Sequence, residues 1–502
     1  MDMTRNGLKE KLGSFQPLEL LMLSVLVVLL TKTMADPDLW GHLRFGLDIL
    51  QSGSIVTQDP YSYIPSNQYW INHEWLSEVL FSSAWLLGKS IGLIIIKTLI
   101  GMLIFVIAYL YLIRIQTASV RIFILMILSF FLMLPFLLPL RPHIFTILFF
   151  ELLLLAIIQA EEGDFRWLWA SPIFMLFWVN MHGGFLAGLA VFIVWSILHL
   201  IFNWRDYRYI LPPLVFAFLV TLFNPYGYEL IIFLLRTATV PRPEINDWQP
   251  LRVLSVLGIP YLLTLALSIL GWVFSRRSKK IPLLIIFSIL AISPLIAIRH
   301  LQLYNLAFLL LAGEHILDAW SRFRPTNQIL GKPSKFSWGF AIITSIALLV
   351  WALPLNSRIY IPSSPSKPIE AVDFLGRSGV SGNLVTYYEW GEYIIWHLSP
   401  GIRVSIDGRR ETVYSDEIYA EYLDFNRGTR NWDAIVDNYD SHMALVEVNK
   451  PSYNLLRIKP GWKLIYEDSI AALFVQDDWS QGAVLEQLSS EFKPTGEGGF
   501  FP

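Results

Sequence analysis

Residues 35–78 read ADPDLWGHLRFGLDILQSGSIVTQDPYSYIPSNQYWINHEWLSE. The reading of this stretch decides the fold. It follows the apolar run Leu18–Leu30 at once and gathers Asp36, Asp38, His42, Arg44, Asp59, His73 and Glu74. No other segment before the last third of the chain concentrates so much ionisable chemistry. The rest of the sequence can be asked which of its parts belong beside this loop.

The surroundings of the loop are apolar. Of 502 residues, 54% are hydrophobic and 16% charged, with a mean hydropathy of +0.51; an ordinary soluble chain carries about 25% charged residues. The deficit falls in repeated apolar runs of roughly 17–25 residues, enough to cross a hydrocarbon core of about 30 Å. The chain reads as an α-helical polytopic membrane protein, with membrane lipid as a partner. A formal net charge of −2 gives no argument for nucleic acid, and none is expected as a partner. There is no cysteine, which removes disulfides, thiolate metal sites and cysteine nucleophiles.

Eleven spans are expected, at 17–34, 91–113, 122–140, 144–160, 167–181, 185–203, 209–224, 259–275, 281–298, 301–318 and 336–354. Arg5, Lys9 and Lys11 before the first run give it the outline of a signal peptide. Thr33-Met34-Ala35 is a poor cleavage site, however, so a retained first helix is expected. Residues 75–88 are apolar but short and interrupted, and read as a helix lying at the interface. Counting Lys and Arg over short loops puts Arg114, Arg121, Arg166, Arg205, Arg208, Arg276, Arg277, Lys279, Lys280, Arg322, Arg324, Lys332 and Lys335 on the cytoplasmic side with the N-terminus. The acidic loop and the C-terminal region then share the outer face of an inner, cytoplasmic membrane.

That topology exposes a second pattern. The outer turns are short but carry Arg141-Pro142-His143, Asn180-Met181-His182-Gly183-Gly184, Asn224-Pro225-Tyr226-Gly227 and Arg299-His300. A longer outer segment, 226–258, carries Arg236, Arg242, Glu244, Asp247, Trp248 and Arg252. Ionisable groups at such depth are costly and tend to face a cavity or a partner. Each one alone is equally well an anchoring or snorkelling side chain. Their recurrence on one side favours a shared site.

After Pro354 the composition changes. Residues 355–368 read as a Pro- and Ser-rich linker. From 369 to 480 strands (Leu384–Tyr388, Arg403–Ile406, Ala444–Glu447, Lys463–Tyr466, Ala471–Val475) alternate with helices (Ile369–Gly376, Ser415–Asn426, Asn431–Asn438), the pattern of a small extracytoplasmic α/β domain. Residues 481–502 read as a mobile tail.

Asp36-Pro37-Asp38-Leu39-Trp40-Gly41-His42-Leu43-Arg44 resembles, in position and character, the acidic motif in the first outer loop of the GT-C superfamily. Its members are polytopic glycosyltransferases that use polyprenyl-phosphate-linked sugars. The Asp38 to Arg44 spacing of six is similar to that in oligosaccharyltransferase catalytic subunits. Those subunits carry a Trp-Trp-Asp-Tyr-Gly signature, and Tyr387-Tyr388-Glu389-Trp390-Gly391 keeps its order of aromatic, acid, aromatic and glycine. Every residue but the glycine differs, so recognition of an Asn-X-Ser/Thr acceptor is not carried over. Arg403 and Asp407-Gly408 echo the family's downstream Arg and Asp.

The resemblance implies a glycosyltransferase with a polyprenyl-phosphate-linked sugar as donor and an unknown acceptor. Such a reaction needs a carboxylate to accept a proton or to hold a divalent cation. It also needs cations for the departing phosphate. Asp36, Asp38, Glu74 and Glu244 are the candidate catalytic acids, with Asp38 the candidate ligand for Mg or Mn. Arg44, Arg141, His143, His182, Arg299 and His300 are the candidate phosphate-binding residues. Tyr388, Glu389, Trp390 and Asp407 are placed on the acceptor side.

Bland alternatives accompany several of these. One of Asp36 and Asp38 caps the helix that begins near Leu39. Asp59-Pro60 reads as a turn, and Glu74 bonds the backbone at the start of the next helix. Trp40, Trp70, Trp75 and Trp85 read as interfacial belt residues. At the level of the whole chain, a lipid or polysaccharide transporter is one alternative, and would show mid-helix charges and an internal repeat. A non-catalytic assembly subunit with the same shell is another.

Overall fold

The computed structural model describes residues 16–64, 69–115, 119–240, 245–323, 333–363, 366–494 and 499–502. Glu244, Arg5, Lys9, Lys11, Arg242, Arg324 and Lys332 lie outside the described residues. The chain forms two compact units, one of residues 1–33 with 93–357, the other of residues 34–92 with 358–502.

The first unit is helical. A helix occupies each of the expected runs, from Pro17–Thr31 to Lys335–Leu355. The run expected at 301–318 is one continuous rod, Leu301–Ala307 passing through a π-helical turn at Phe308–Ala312 into Gly313–Phe323. Five helices among the described residues are long and apolar enough to cross a bilayer, and the chain is an integral membrane protein. Within this apolar body Lys97 is almost completely buried. Its ammonium donates to the carbonyls of Lys32 at 2.7 Å, Leu137 at 2.9 Å and Leu138 at 3.4 Å. Lys32 caps Pro17–Thr31 and Leu137 ends Ser119–Leu137. One cation therefore serves the carbonyl ends of two helices, where the backbone has acceptors but no intrahelical donors.

The second unit joins the acidic loop to the C-terminal region. Its sheet contains β1 (Gly382–Val385), β2 (Ile402–Val404), β3 (Met443–Glu447), β4 (Trp462–Glu467) and β5 (Ala471–Gln476), in the order β2-β1-β3-β5-β4. β1 is parallel to both β2 and β3, whereas β5 is antiparallel to β3 and β4. Parallel neighbours need crossovers. The helix Tyr388–Leu398 supplies the first, and Asp416–Arg427 lies in the second. The acidic loop closes the β2 edge: Tyr63 N–H donates to the Val404 carbonyl, and Val404 N–H to that of Tyr61. An open strand edge is thereby covered.

Several expectations change here. The strand expected over Leu384–Tyr388 stops at Val385, and Tyr388 opens a helix instead. Its aromatic residues favour a strand locally, but Trp390, Tyr393 and Ile394 recur at helical spacing and bury one face. Residues 355–368 pair with other chain segments. Ala35 N–H donates to the Tyr360 carbonyl at 2.8 Å, and Phe501 N–H to that of Ile359 at 2.9 Å. The stretch read as a mobile tail holds the helix Gly482–Glu491. Phe501, near its end, packs against Trp40 and Trp85 with ring centroids 5.1 and 5.5 Å apart. Trp40, Trp70 and Trp85 are buried core residues, not belt residues. The run Trp75–Ile115 is divided at Lys89, whose φ of 50° is not helical; this separates the expected 75–88 helix from the span after it.

Candidate active site

The site builds from the start of the helix Leu39–Ser52. Asp36 is buried, and its Oδ1 accepts the Asp38 N–H at 3.0 Å. Asp36 is therefore the member of the pair that shapes the chain entering the helix. Asp38 occupies the N-cap position, makes no side-chain cap bond and is half-buried.

Behind Asp38 stands a residue that the sequence reading missed. Glu392, on the helix Tyr388–Leu398, is 4% exposed, and its Oε2 accepts the Gly41 N–H at 3.2 Å. Two glycines make room for it. A Cβ on Gly41 would stand 2.1 Å from Glu392 Oε2. A Cβ on Gly408 would stand 2.5 Å from Glu392 Oε1 and 2.7 Å from Asp38 Oδ1. The separation of these two oxygens cannot exceed the sum of those distances. Burial pushes the Glu392 carboxyl well above the ordinary range, and repulsion from Asp38, Asp407 and Asp36 adds to it against the pull of Arg409.

The cation of this cluster is Lys367, in the segment read as a linker. It is 3% exposed, donates to the Glu389 carbonyl and stands 5.4 Å from the centre of the Trp40 ring. Burial lowers its ammonium pKa, and Asp36, Asp38, Glu389 and Glu392 oppose that shift. A single Lys between Pro- and Ser-rich neighbours gives no local signal of such a role.

Next to the cluster His42 is held by acids. Its Nδ1 lies 3.3 Å from Glu78 Oε1 and its Nε2 3.9 Å from Glu74 Oε2. Asn72 Nδ2 donates to the other Glu78 oxygen at 2.6 Å. Burial opposes charging of the imidazole, but Glu78, Glu74 and Asp38 outweigh it and raise the ring to about 9. Glu74 thus faces the histidines, His73 included at 3.8 Å.

Asp407, placed on the acceptor side by resemblance, is fully buried. Its carboxylate accepts from Arg409 N, Nε and Nη2 at 2.9, 2.8 and 2.6 Å, and from the Tyr414 hydroxyl at 2.7 Å. Asp59 is more than the turn it was read as: it accepts the Tyr61 and Ser62 N–H groups and also pairs with Arg409 at 2.7 Å. The Tyr388 hydroxyl donates to the Gly408 carbonyl at 3.0 Å. Trp390 is buried, with Nε1–H donating to the Ser366 carbonyl at 2.7 Å. Glu389 is exposed and lines, with Tyr387, Trp390, Asn426, Glu447 and Lys450, a cavity of about 280 Å³. Arg44 bonds Asp48 at 3.0 Å. Six residues of helix turn it roughly 120° away from Asp38, so the spacing does not make the two a pair.

The other sequence candidates belong to the helical unit. Arg141 pairs with Asp247 at 3.2 Å, and Arg299 stands 4.5 Å from the centre of the adjacent Trp248 ring. Two of the expected cations therefore meet neighbouring residues of the 226–258 segment. His143 Nε2 donates to the Phe136 carbonyl at 2.7 Å, and His300 Nδ1 to that of Ser293 at 3.1 Å. His182 Nδ1 accepts from Gly184 N–H at 3.0 Å and from the Thr146 hydroxyl at 2.7 Å. Its proton is accordingly on Nε2. The expected divalent cation has no ready-made protein site: among the described residues no three His, Asp or Glu side chains are grouped to hold one.

No protein-family model matches the sequence, and no curated protein matches it. Among solved structures, the chain is similar to the crystal structure of ArnT from Cupriavidus metallidurans bound to undecaprenyl phosphate. The similarity covers 93% of this chain and 98% of that chain, with a TM-score of 0.50 at 11% sequence identity. At that identity the likeness is one of fold. The chain shares the fold of that structure.

Proposed function

We propose that the protein transfers a sugar from a polyprenyl-phosphate-linked donor to an acceptor at the outer face of the membrane. The observation that carries this reading is the half-buried Asp38 carboxylate at the head of the Leu39–Ser52 helix, in a chain whose fold is that of an undecaprenyl-phosphate-bound enzyme. In this reading Asp38 takes the proton of the acceptor hydroxyl. The hydroxyl oxygen forms a bond to the anomeric carbon as that carbon's bond to the phosphate oxygen breaks, and the electron pair leaves on the polyprenyl phosphate. Asp36 holds the loop that presents Asp38. Arg141, Arg299, His143, His182 and His300 are the helical unit's candidates for the phosphate, and Glu389 is an acceptor-side candidate.

The apolar runs of the sequence support eleven spans, and the distribution of Lys and Arg over the short loops supports a cytoplasmic N-terminus and an extracytoplasmic second unit. The site residues present do not compose a metal centre, so no step is routed through one.

The test uses full-length protein in detergent with undecaprenyl-phosphate-linked sugars, following release of undecaprenyl phosphate. Asp38→Asn is expected to lower turnover by about 10²-fold or more. Transfer by Asp38→Asn and Asp36→Asn at the wild-type rate would sink the assignment. Movement of lipid across liposomes without release of phosphate would favour the transporter instead.

A further inference from the structure

The geometry points to Asp38 working as one member of a carboxyl pair, with Glu392 as its buried positioning partner, Gly41 and Gly408 leaving the room, and Lys367 supplying the counter-charge. This rests on the reading of Asp38 as the proton acceptor in sugar transfer and names the residue that sets its charge.

The two carboxyl oxygens converge on one point, the place where a Gly408 side chain would begin. Asp38 is half-buried and can meet a substrate, whereas Glu392 at 4% exposure acts through Asp38. The charged groups acting on Glu392 come from several elements. Asp36 and Asp38 come from the loop before Leu39–Ser52, Asp407 and Arg409 from the segment after β2, and Lys367 from the segment before Ile369–Ser378. Arg409 is committed to Asp407 and Asp59. Lys367 is a cation on which Asp36, Asp38 and Glu392 all act.

Neighbouring carboxyls in a confined, buried space do not all ionise. The proton settles on the one with least access to water. Glu392 is the more deeply buried of the two and burial raises its carboxyl pKa, so it carries the proton and Asp38 keeps the charge. Glu392 makes and breaks no bond in the transfer; it keeps a second negative charge away from Asp38 and holds Asp38 Oδ1 over Gly408. Lys367 has the complementary effect, favouring the charged form of Asp38 at lower pH.

Infrared spectra of full-length detergent-purified protein near neutral pH test the pair without any substrate. Wild type is expected to show a protonated-carboxyl C=O band that Glu392→Gln removes. Gly408→Ala, whose methyl would press on Oε1, is expected to shift the same band, and it serves if Glu392→Gln does not fold. Identical bands in wild type and in whichever variant folds would overturn the pair. With undecaprenyl-phosphate-linked glucose as probe, Glu392→Leu is expected to lose about tenfold or more in transfer rate, and Glu392→Gln to recover most of it. Lys367→Met is expected to move the acid limb of the pH profile upward by about one unit; an unmoved limb would remove Lys367 from the assignment. Loss of the infrared difference with transfer intact overturns the pair alone. An infrared difference without transfer of any supplied sugar overturns the glycosyltransferase reading and leaves the pair standing.

Discussion

Arg409 Nη1 donates to Asp59 Oδ1 at 2.7 Å, joining residues 350 positions apart. The guanidinium also lies against the rings of Trp70, Phe45 and Tyr61, at 4.7, 4.9 and 5.1 Å. Its remaining donors go to Asp407. The side chains of Arg409 and Asp59 are 6% and 3% exposed, so water does little to screen them. This contact fixes the acidic loop to the segment that carries Gly408, and thereby brings Asp38 and Glu392 to one place.

Removing one partner of a buried, hydrogen-bonded ion pair leaves a charge without compensation and costs about 3–5 kcal/mol. Arg409→Met is expected to destabilise the second unit by that order, and Asp59→Asn by less because Asp407 remains. Denaturant unfolding in detergent, followed by tryptophan fluorescence, measures both. Wild-type midpoints in the two variants would show that the aromatic cage alone holds the loop.

The raised pKa of His42 makes a pH prediction with a definite sign. The imidazole rises from 6.5 to about 9 on folding because Glu78, Glu74 and Asp38 outweigh the effect of burial. The stabilisation it gives is complete below the unfolded value and is lost as pH rises through about 9. Wild-type stability is therefore expected to fall between roughly pH 6.5 and 9. His42→Gln, lacking the titration, is expected to show a flatter profile. Parallel profiles would place the charge elsewhere.

Gly46 lies where the Leu39–Ser52 helix meets the backbone of the next one. A Cβ there would stand 2.2 Å from the Glu78 carbonyl oxygen, which cannot swing aside as a side chain can. Gly46→Ala is expected to cost about 1–3 kcal/mol or more. Gly53, with φ at +64° and nothing near its Cβ position, is expected to cost only the left-handed strain of about 1–2 kcal/mol on substitution by Ala. Thermal melting of the two variants orders them, and a less stable Gly53→Ala would contradict the packing argument.

Lys97→Met is expected to lower the stability of the helical unit, because the Lys32, Leu137 and Leu138 carbonyls would lose their shared donor. Hydrogen bonds to charged groups contribute about 1.5–3 kcal/mol each. Size-exclusion profiles after a temperature series would register the loss. Lys97→Arg is expected to restore little, since a planar guanidinium does not fit a site built round a point charge.

The order of helices was open to sequence reading because each apolar run carries its own evidence. Burial in lipid demands a continuous run of suitable length, and that run is written in consecutive residues. The same holds for the position of the acidic loop and for the β3, β4 and β5 segments of the second unit. Asp36 and Asp38 were separable in role only once the hydrogen bond from Asp38 N–H to Asp36 was visible. The strand expected over Leu384–Tyr388 ran on to Tyr388 because the aromatics there favour strands locally. Tyr388 instead opens the helix Tyr388–Leu398, whose burial is set by the helix Leu39–Ser52 on which it packs.

The sequence by itself determined a helical membrane protein, a carboxylate loop after the apolar run Leu18–Leu30 and an α/β segment after the apolar run 336–354. All three follow from local composition and spacing. Only the tertiary structure decided that Glu392 and Lys367 stand at that loop, that Asp59 pairs with Arg409, and that Asp407 is spent on holding Arg409. Partners separated by hundreds of residues leave no periodic trace in the chain. What joins them is burial, which forces each charge taken out of water to find a group of opposite sign or a proton, wherever in the sequence that group resides.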